Sequence, residues 1–396
     1  MLKKIAIVSL LSLVAHADML GYFQEANKHI HYDKTYSLYR QSNQLSQSAI
    51  KENRYANFSA DVGYARTRAT LLDHGFNTTD FSLNDTLDVF GKNSYKIEML
   101  QLDLKSKKAS LSLQKEQLFV SLVTMIAMYH RTVEQQALYQ TLFTKQRNMY
   151  KKLQILEKNG DMNSLDVLRV NNTLSTLKVK IVSLKNQAIK MKKQLKLYVP
   201  KQHIPSLHHV KLRGSKKAFL AHNPEYQINR YDAHKQSVQA RGMKKSYIPT
   251  VTTGIAYQQL DDPTSYGDNY SLNIGLHIPL NRGDFREAEA LKVAALSSQS
   301  RGMEYKLQRE NEYVIRHQEY VNAKKELAVL KESLEAYKKS EKNIKEAYLK
   351  QYVYFNTYLQ VITEYLGIKE QIIALKSQKE LEATIINAIA LGKIYE

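Results

Sequence analysis

The sequence predicts an α+β fold in which long antiparallel α-helical coiled coils carry a small set of β-strands. Three observations lead there. Apolar residues step alternately by four and three along segments far longer than an ordinary globular helix. Four other segments, of about ten residues each, alternate apolar and polar side chains instead. And the same order of elements is written twice, at a spacing of about 190 residues.

The chain opens with Lys3 and Lys4, an apolar run over 5–14, and Ala15-His16-Ala17, which fits a small-x-small cleavage site. That is the order of a secretory signal, so 1–17 is expected to be removed and the mature chain to leave the cytoplasm. The apolar run is too short to span a bilayer as a helix. No later stretch approaches eighteen consecutive apolar residues. If such a chain crosses a membrane, it does so as a closed β-barrel.

The strands come in two pairs. Phe58, Ala60, Val62 and Tyr64 alternate with Ser59, Asp61 and Gly63. Phe81, Leu83, Leu87 and Val89 alternate with Ser82, Asn84, Thr86 and Asp88; only Asp85 breaks the apolar face. In the second half Val251, Thr253, Ile255 and Tyr257 form one apolar face, and Tyr270, Leu272, Ile274, Leu276, Ile278 and Leu280 the other. The expected strands are 58–66, 80–90, 250–258 and 270–280, joined within each pair by the polar turn regions LLDHGFNTTD (71–80) and DDPTSYGD (261–268). Their length is that of a tilted membrane-spanning strand. Four strands cannot enclose an interior, but three copies would pool twelve. A small periplasmic sheet on a coiled-coil stalk satisfies the same strands, and both architectures stand at this point.

The helices are long. From 92 to 158 there is no proline, and the only glycines lie at or beyond the ends; at 1.5 Å per residue such a helix is roughly 100 Å long. It needs a partner along its length, and the next helix, about 164–199, carries a seam for it: Val170, Leu174, Leu177, Ile181, Leu184, Ala188, Met191, Leu195 and Tyr198. Leu327, Leu330, Leu334, Tyr337, Glu341, Ile344 and Tyr348 repeat the pattern with one charged slot, and Val361, Tyr365, Ile368, Ile372 and Leu375 repeat it again. FSLNDTLDVFG (81–91) lines up with YSLNIGLHIPL (270–280), and LDVL (165–168) precedes LQVI (359–362) by a similar interval. The chain therefore divides into a first structural repeat over 18–200, a linker over 201–222 and a second repeat over 223–396.

Lys and Arg number 58 against 38 Asp and Glu, a net charge of +20, or +18 once Lys3 and Lys4 leave with the signal. Such a balance suits anionic partners, yet the lysines are spread along helical faces, as in 105–108, 190–193 and 338–342, which reads as solvated coiled-coil flanks. With no cysteine, disulfides, thiolate metal sites and a Cys nucleophile are excluded. His203, His208 and His209 sit in the linker with no carboxylate nearby in sequence, so they are read as linker residues and no metal is expected. No GxSxG, Walker, GxGxxG or HExxH stretch occurs, and nothing converges as an active site should: no enzyme and no cofactor are expected. KNIKEAYLKQYVYF (342–355) mixes basic and aromatic residues, but an exported chain with period-two strands argues against nucleic acid.

Three stretches carry a resemblance. NPEYQINRYDAHKQSVQARGMKKSYIP (223–249) opens a helix on Asn223-Pro224-Glu225 and ends on Pro249 before a strand. IPLNRGDFREAEALKVAALSSQ (278–299) follows a Pro-Leu with a glycine and an Ala-rich helix, and LEKNGDMNSLDVLRVNNTL (156–174) is a helix-turn-helix with Asp-Val-Leu. In this order, with the repeat and the signal, they resemble the TolC-like outer membrane efflux protein family over nearly the whole mature chain. The resemblance implies a homotrimer in the outer membrane of a Gram-negative bacterium. A twelve-stranded transmembrane β-barrel, four strands per protomer, would continue into a helical coiled-coil barrel crossing the periplasm. It implies a passive exit duct for solutes or proteins, serving a tripartite pump or a type I secretion system. Outer membrane lipid, a periplasmic adaptor protein and, through it, an inner-membrane transporter would be its partners. A non-pore coiled-coil adaptor or surface-binding protein is the alternative; it should carry a compact Gly- and Val-rich domain, and the sequence has none.

By the same resemblance the turns near Gly160 and Tyr354 form a closed tip that gates the duct and meets the adaptor. The family's first-turn aspartate falls on Asp166. In VYFNTYLQVIT (353–363), Tyr354 stands at the usual glycine, Asn356 at a basic tie residue, and Gln360 and Thr363 at two ring aspartates. The acidic ring is replaced by neutral residues, and Tyr352, Tyr354 and Tyr358 crowd the same place. The expectation is a tip closed by aromatic packing with hydrogen bonds from Asn356 and Asp166, assembled from Gly160, Asp161, Asn163, Asp166, Tyr352, Tyr354, Asn356, Tyr358, Gln360 and Thr363. The tyrosines also fit plain seam positions of a short coiled coil. A neutral ring on a basic chain would not favour cations.

Overall fold

The computed structural model describes residues 19–68, 75–200, 203–262 and 265–395; the expected signal, 1–17, lies outside them. The order of elements is α1 (19–30), α2 (Tyr32–Glu52), β1 (Phe58–Arg68), β2 (Gly75–Leu87), α3 (Ser94–Lys158), α4 (Ser164–Tyr198), α5 (Lys216–Ala221), α6 (Pro224–Lys244), β3 (Thr250–Asp262), β4 (Ser265–His277), α7 (Gly283–Leu349) and α8 (Phe355–Leu391). Long antiparallel helices and four strands per chain are what the periodicities predict. No described helix is long and apolar enough to cross a membrane.

The chain forms two compact units, and neither is one sequence repeat. One contains the chain up to Tyr32, Ser112–Asn223 and the chain from Leu307; the other contains Asp33–Leu111 and Pro224–Lys306.

The second unit contains an antiparallel sheet in the order β1-β2-β3-β4. Its register lines up Ala60, Leu83, Ile255 and Leu272 in one row and Val62, Phe81, Tyr257 and Tyr270 in the next of the same face. Asp61, Ser82, Ala256 and Ser271 form a row on the other face. Side chains alternate across a strand, so register alone separates an apolar face from a polar one. The apolar face is bare: Val62, Tyr270, Leu272 and Ile274 are each about three-quarters exposed. Among the described residues β1 pairs only with β2 and β4 only with β3, which leaves two open edges.

The strands correct the sequence boundaries. Gly75–Asp80, expected as turn, pair with 63–68, and Ser265–Asn269 pair with 258–262, so the ladders run on into the polar ends. At the other end β2 stops at Leu87 because the Asp88 carboxylate turns to accept from the backbone N–H groups of Lys92 (2.6 Å) and Asn93 (2.8 Å), starting the entry into α3. β4 stops at His277, two residues before Pro279, which has no N–H for a ladder.

The first unit is all helical. Its hairpins are antiparallel: Lys180 lies over the Tyr139 ring, and Thr132 meets Met191, as residue numbers on α3 and α4 run oppositely. Arg316 pairs with Glu382 at 3.1 Å, and Gln378 with Glu319, in the same sense on α7 and α8. The main core joins Met19, Tyr22 and Phe23 of α1 to Phe119, Leu122 and Ile126 of α3, Phe219 of α5 and Ile385, Ile386 and Ile389 of α8. Beside it Arg309 forks onto Glu116 at 2.5 and 3.0 Å, donates to the His222 carbonyl at 3.1 Å and lies 4.4 Å from the Phe219 ring centre. Tyr395 also donates to Glu116, at 2.5 Å. Burial opposes the Arg309 charge, but the Glu116 hydrogen bonds and charge outweigh it and hold the guanidinium above its usual value.

The linker is not simply solvated. His208 lies 3.4 Å from both Glu134 and Glu380, the backbone N–H of His209 donates to Glu380 at 3.1 Å, and the His130 ring meets the Pro205 carbonyl at 2.8 Å. Within the expected linker, α5 buries Phe219 completely. No group of three or more metal-ligating side chains occurs among the described residues. Burial holds His130 below its ordinary value of 6.5, so the unfolded chain takes up that proton first. Stability should therefore be full above that pH and fall as pH drops through it and below. Thermal midpoints measured between pH 7.5 and 5 should fall less for His130→Gln than for the wild type.

Candidate functional site

The candidate site lies in the all-helical unit, where the α3–α4 and α7–α8 turns come together. Both turns are built alike. Gly160 adopts a left-handed φ of 80° after α3, and the Asp161 N–H reaches back to the Leu156 carbonyl at 2.8 Å. That six-to-one bond with a left-handed residue is a Schellman closure, where glycine is preferred because it has no Cβ to clash. After α7 the left-handed residue is Gln351, φ 63°, and the Tyr352 N–H bonds to the Ala347 carbonyl at 2.9 Å. The special backbone position of the second turn is thus Gln351, not Tyr354.

Three residues on, each turn starts its next helix. Asn163 caps α4 by accepting from the Leu165 N–H at 2.9 Å. Tyr354 occupies the same place before α8, extended at φ −74° and ψ 154°, with no side-chain cap. Asparagine caps are worth about 1 kcal/mol over non-capping residues. Tyr354→Asn should therefore raise stability by roughly that amount, read as an increased denaturation midpoint.

Between the turns lies a buried aromatic cluster. The rings of Tyr348 and Tyr358 stack at 5.1 Å with 14° between planes, and Phe355 packs 5.7 Å from Tyr348. Tyr348, Phe355 and Tyr358 are all nearly inaccessible to solvent. The buried Gln146 amide on α3 donates to the Tyr358 hydroxyl at 3.1 Å, tying α8 to α3. The Tyr348 hydroxyl donates to Asp166 at 3.4 Å, tying α7 to α4. Arg169 meets the other Asp166 oxygen at 3.4 Å, and the Gln351 side chain donates to the Asp161 carbonyl. Burial pushes the Tyr358 hydroxyl up to about 12; burial first, then Asp166, raises Tyr348 as well. Both stay protonated donors at neutral pH.

Of the residues singled out from sequence, Tyr358 and Asp166 enter this cluster. Gly160, Asp161 and Asn163 shape the first turn. Tyr352 and Tyr354 do not pack: they stand 77% and 87% exposed. Asn356 is exposed, and the tip's hydrogen bonds come from Gln146, Tyr348 and Gln351 instead. Gln360 donates to Glu364 at 3.0 Å, and Thr363 to the Leu359 carbonyl at 2.9 Å, both within α8. Tyr348 was visible as the last member of the α7 seam; Gln146 and Gln351 left no pattern in the sequence.

No protein-family model matches the chain, and no curated protein sequence matches it. Solved structures do. CusC, described as forming a transmembrane channel, superposes with a TM-score of 0.78 at 11% identity over 94% of this chain and 92% of its own. The outer membrane protein VceC of Vibrio cholerae gives 0.72 at 13% identity over 94% and 96%. The Campylobacter jejuni outer membrane channel CmeC gives 0.69 at 11% over 94% and 86%. At these identities the likeness is one of fold, and it extends over almost the entire chain: the fold is that of TolC-like outer membrane channels.

Proposed function

We propose that the chain is one protomer of a homotrimeric outer membrane channel, a passive exit duct for a tripartite efflux pump or a type I secretion system. The observation that carries this reading is the sheet, with one bare apolar face, one polar face and two open edges. In water such a surface promotes aggregation. In a twelve-stranded barrel pooled from three copies, the apolar face meets lipid, the polar face lines the lumen and no edge remains. The fold shared with outer membrane channels supports the same reading.

In this reading the helices form a periplasmic tunnel, and the two turns form its tip. The tip is held shut by the Tyr348–Phe355–Tyr358 stack with its ties to Gln146 and Asp166, and the exposed Tyr352 and Tyr354 are free to meet a periplasmic adaptor that links the duct to an inner-membrane transporter. The duct makes and breaks no bonds and needs no cofactor.

The test is single-channel conductance of the detergent-purified protein in a planar bilayer. Small, mostly closed steps are expected from the wild type. No conductance together with monomers on sizing would remove the channel and favour a coiled-coil adaptor.

A further inference from the structure

In the all-helical unit, α4 carries two seams. The first, through Val170, Leu177, Leu184 and Leu195, is buried. The second lies one residue further round the helix: Lys178, Val182, Lys185, Ile189, Lys192 and Lys196 step four, three, four, three and four. Every member of this second seam is exposed. It is also uniformly basic, since residues 167–224 hold thirteen Lys and Arg and no Asp or Glu. The cationic excess of the chain is therefore concentrated here rather than spread along all helical flanks.

α7 carries the complement. Glu312, Ile315, Glu319, Asn322, Glu326 and Val329 step three and four, one residue to the other side of the buried Ala323 and Leu327. Glu319 and Glu326 are exposed, as are Ile315 and Val329. An alternation of charge and branched apolar residue on each helix, with opposite sign, is what two helices need to pair as a coiled coil.

Direction and level also agree. α4 runs antiparallel to α3, while α3 and α7 run together, from Glu116 beside Arg309 to Lys145 beside Glu341. α4 and α7 are therefore antiparallel, and their contact at Asp166 and Tyr348 fixes the level. Counting back equally along both helices at about 1.5 Å per residue brings Lys196 within one residue of the level of Glu319, and Ile189 within one residue of the level of Glu326. Rotation about an axis parallel to the helices keeps such levels.

We infer that these two seams form the contact between neighbouring copies in the helical barrel, the Lys seam of α4 on one copy seated against the Glu seam of α7 on the next. The inference rests on the trimeric reading above and names the residues that close its ring. Because the seams differ, the contact is head-to-tail, as a closed ring requires.

The cysteine-free chain allows a direct test. The full-length protein carrying Ile189→Cys with Glu326→Cys, purified in detergent and mildly oxidised, should give disulfide-linked dimers and trimers on a denaturing gel. Uncrosslinked chain, or a disulfide closed within one chain, would overturn the contact. Charge reversal checks it independently on the cysteine-free protein, by light scattering on sizing. Lys185→Glu with Lys192→Glu and Lys196→Glu should lower the trimer fraction about tenfold; Glu319→Lys with Glu326→Lys should do the same, and all five together should restore it. Reversed variants that stay trimeric like the wild type would overturn the seam alone. A monomeric wild type would overturn the seam together with the trimer.

Discussion

Replacing Glu116 with alanine should destabilise the all-helical unit by about 3–5 kcal/mol, the usual cost of leaving a buried charge without its partner. Arg309 and Glu116 side chains are both only 8% exposed. Removing the carboxylate strips two of the guanidinium's bonds and the acceptor of the Tyr395 hydroxyl. Glu312, at 2.8 Å from Arg309, is already shared with Arg316 and cannot replace it. Glu116→Gln keeps an acceptor and the shape, so it should lose distinctly less. Replacing both Glu116 and Arg309 with apolar residues should lose less than Glu116→Ala alone, because no charge is then stranded. Urea unfolding of the three variants, followed by circular dichroism, gives the order. Equal losses for the single and double replacements would show that the pair is held by packing alone.

Tyr358→Ala should open the proposed duct. The ring is 3% exposed and stacks on Tyr348. Deleting a buried aromatic side chain costs about 3–5 kcal/mol, and the Gln146 amide left unpaired behind it adds roughly 1–3 kcal/mol. That energy is local to the two turns, so the helices should persist while the tip loosens and conductance steps enlarge. Gln360→Ala and Thr363→Ala, whose side chains bond only within α8, should leave both stability and conductance nearly unchanged. Burial raises the Tyr348 and Tyr358 hydroxyls and keeps them protonated, so changes of conductance between pH 5 and 9 do not arise from this stack. A Tyr358→Ala channel with wild-type steps would move the gate away from this cluster.

What the sequence revealed and what it hid divide along physical lines. Coiled-coil seams and strand alternation are local periodicities, and they placed α3, α4, α7, α8 and the centres of all four strands. Strand ends were missed because pairing, not side-chain pattern, extends them: Asn77, Thr78 and Thr79 look like turn residues until their partners on β1 and β3 are known. Gln351 was missed because a left-handed φ at a non-glycine residue leaves no trace in composition. The exposed and buried tyrosines of the second turn are of one residue type, and only the course of the chain around Gln351 decides that Tyr358 turns inward while Tyr352 and Tyr354 do not. His208 seemed to lack carboxylates because Glu134 and Glu380 approach it from helices far away along the chain.

The main core joins Met19, Tyr22 and Phe23 to Ile385, Ile386 and Ile389, so its inner surface is completed by residues more than 350 positions apart. Contacts of such long range form late, because the loop-closure cost precedes any gain from packing. A ribosome releasing this chain residue by residue offers the early helices no finished surface to bury against until α8 emerges. This core therefore stays open until α8 has been made. That is the state in which a polypeptide threads a narrow translocation pore, and the one in which holding chaperones are needed most. Shortening the chain before α8 should accordingly give a protein that leaves this core open and is degraded.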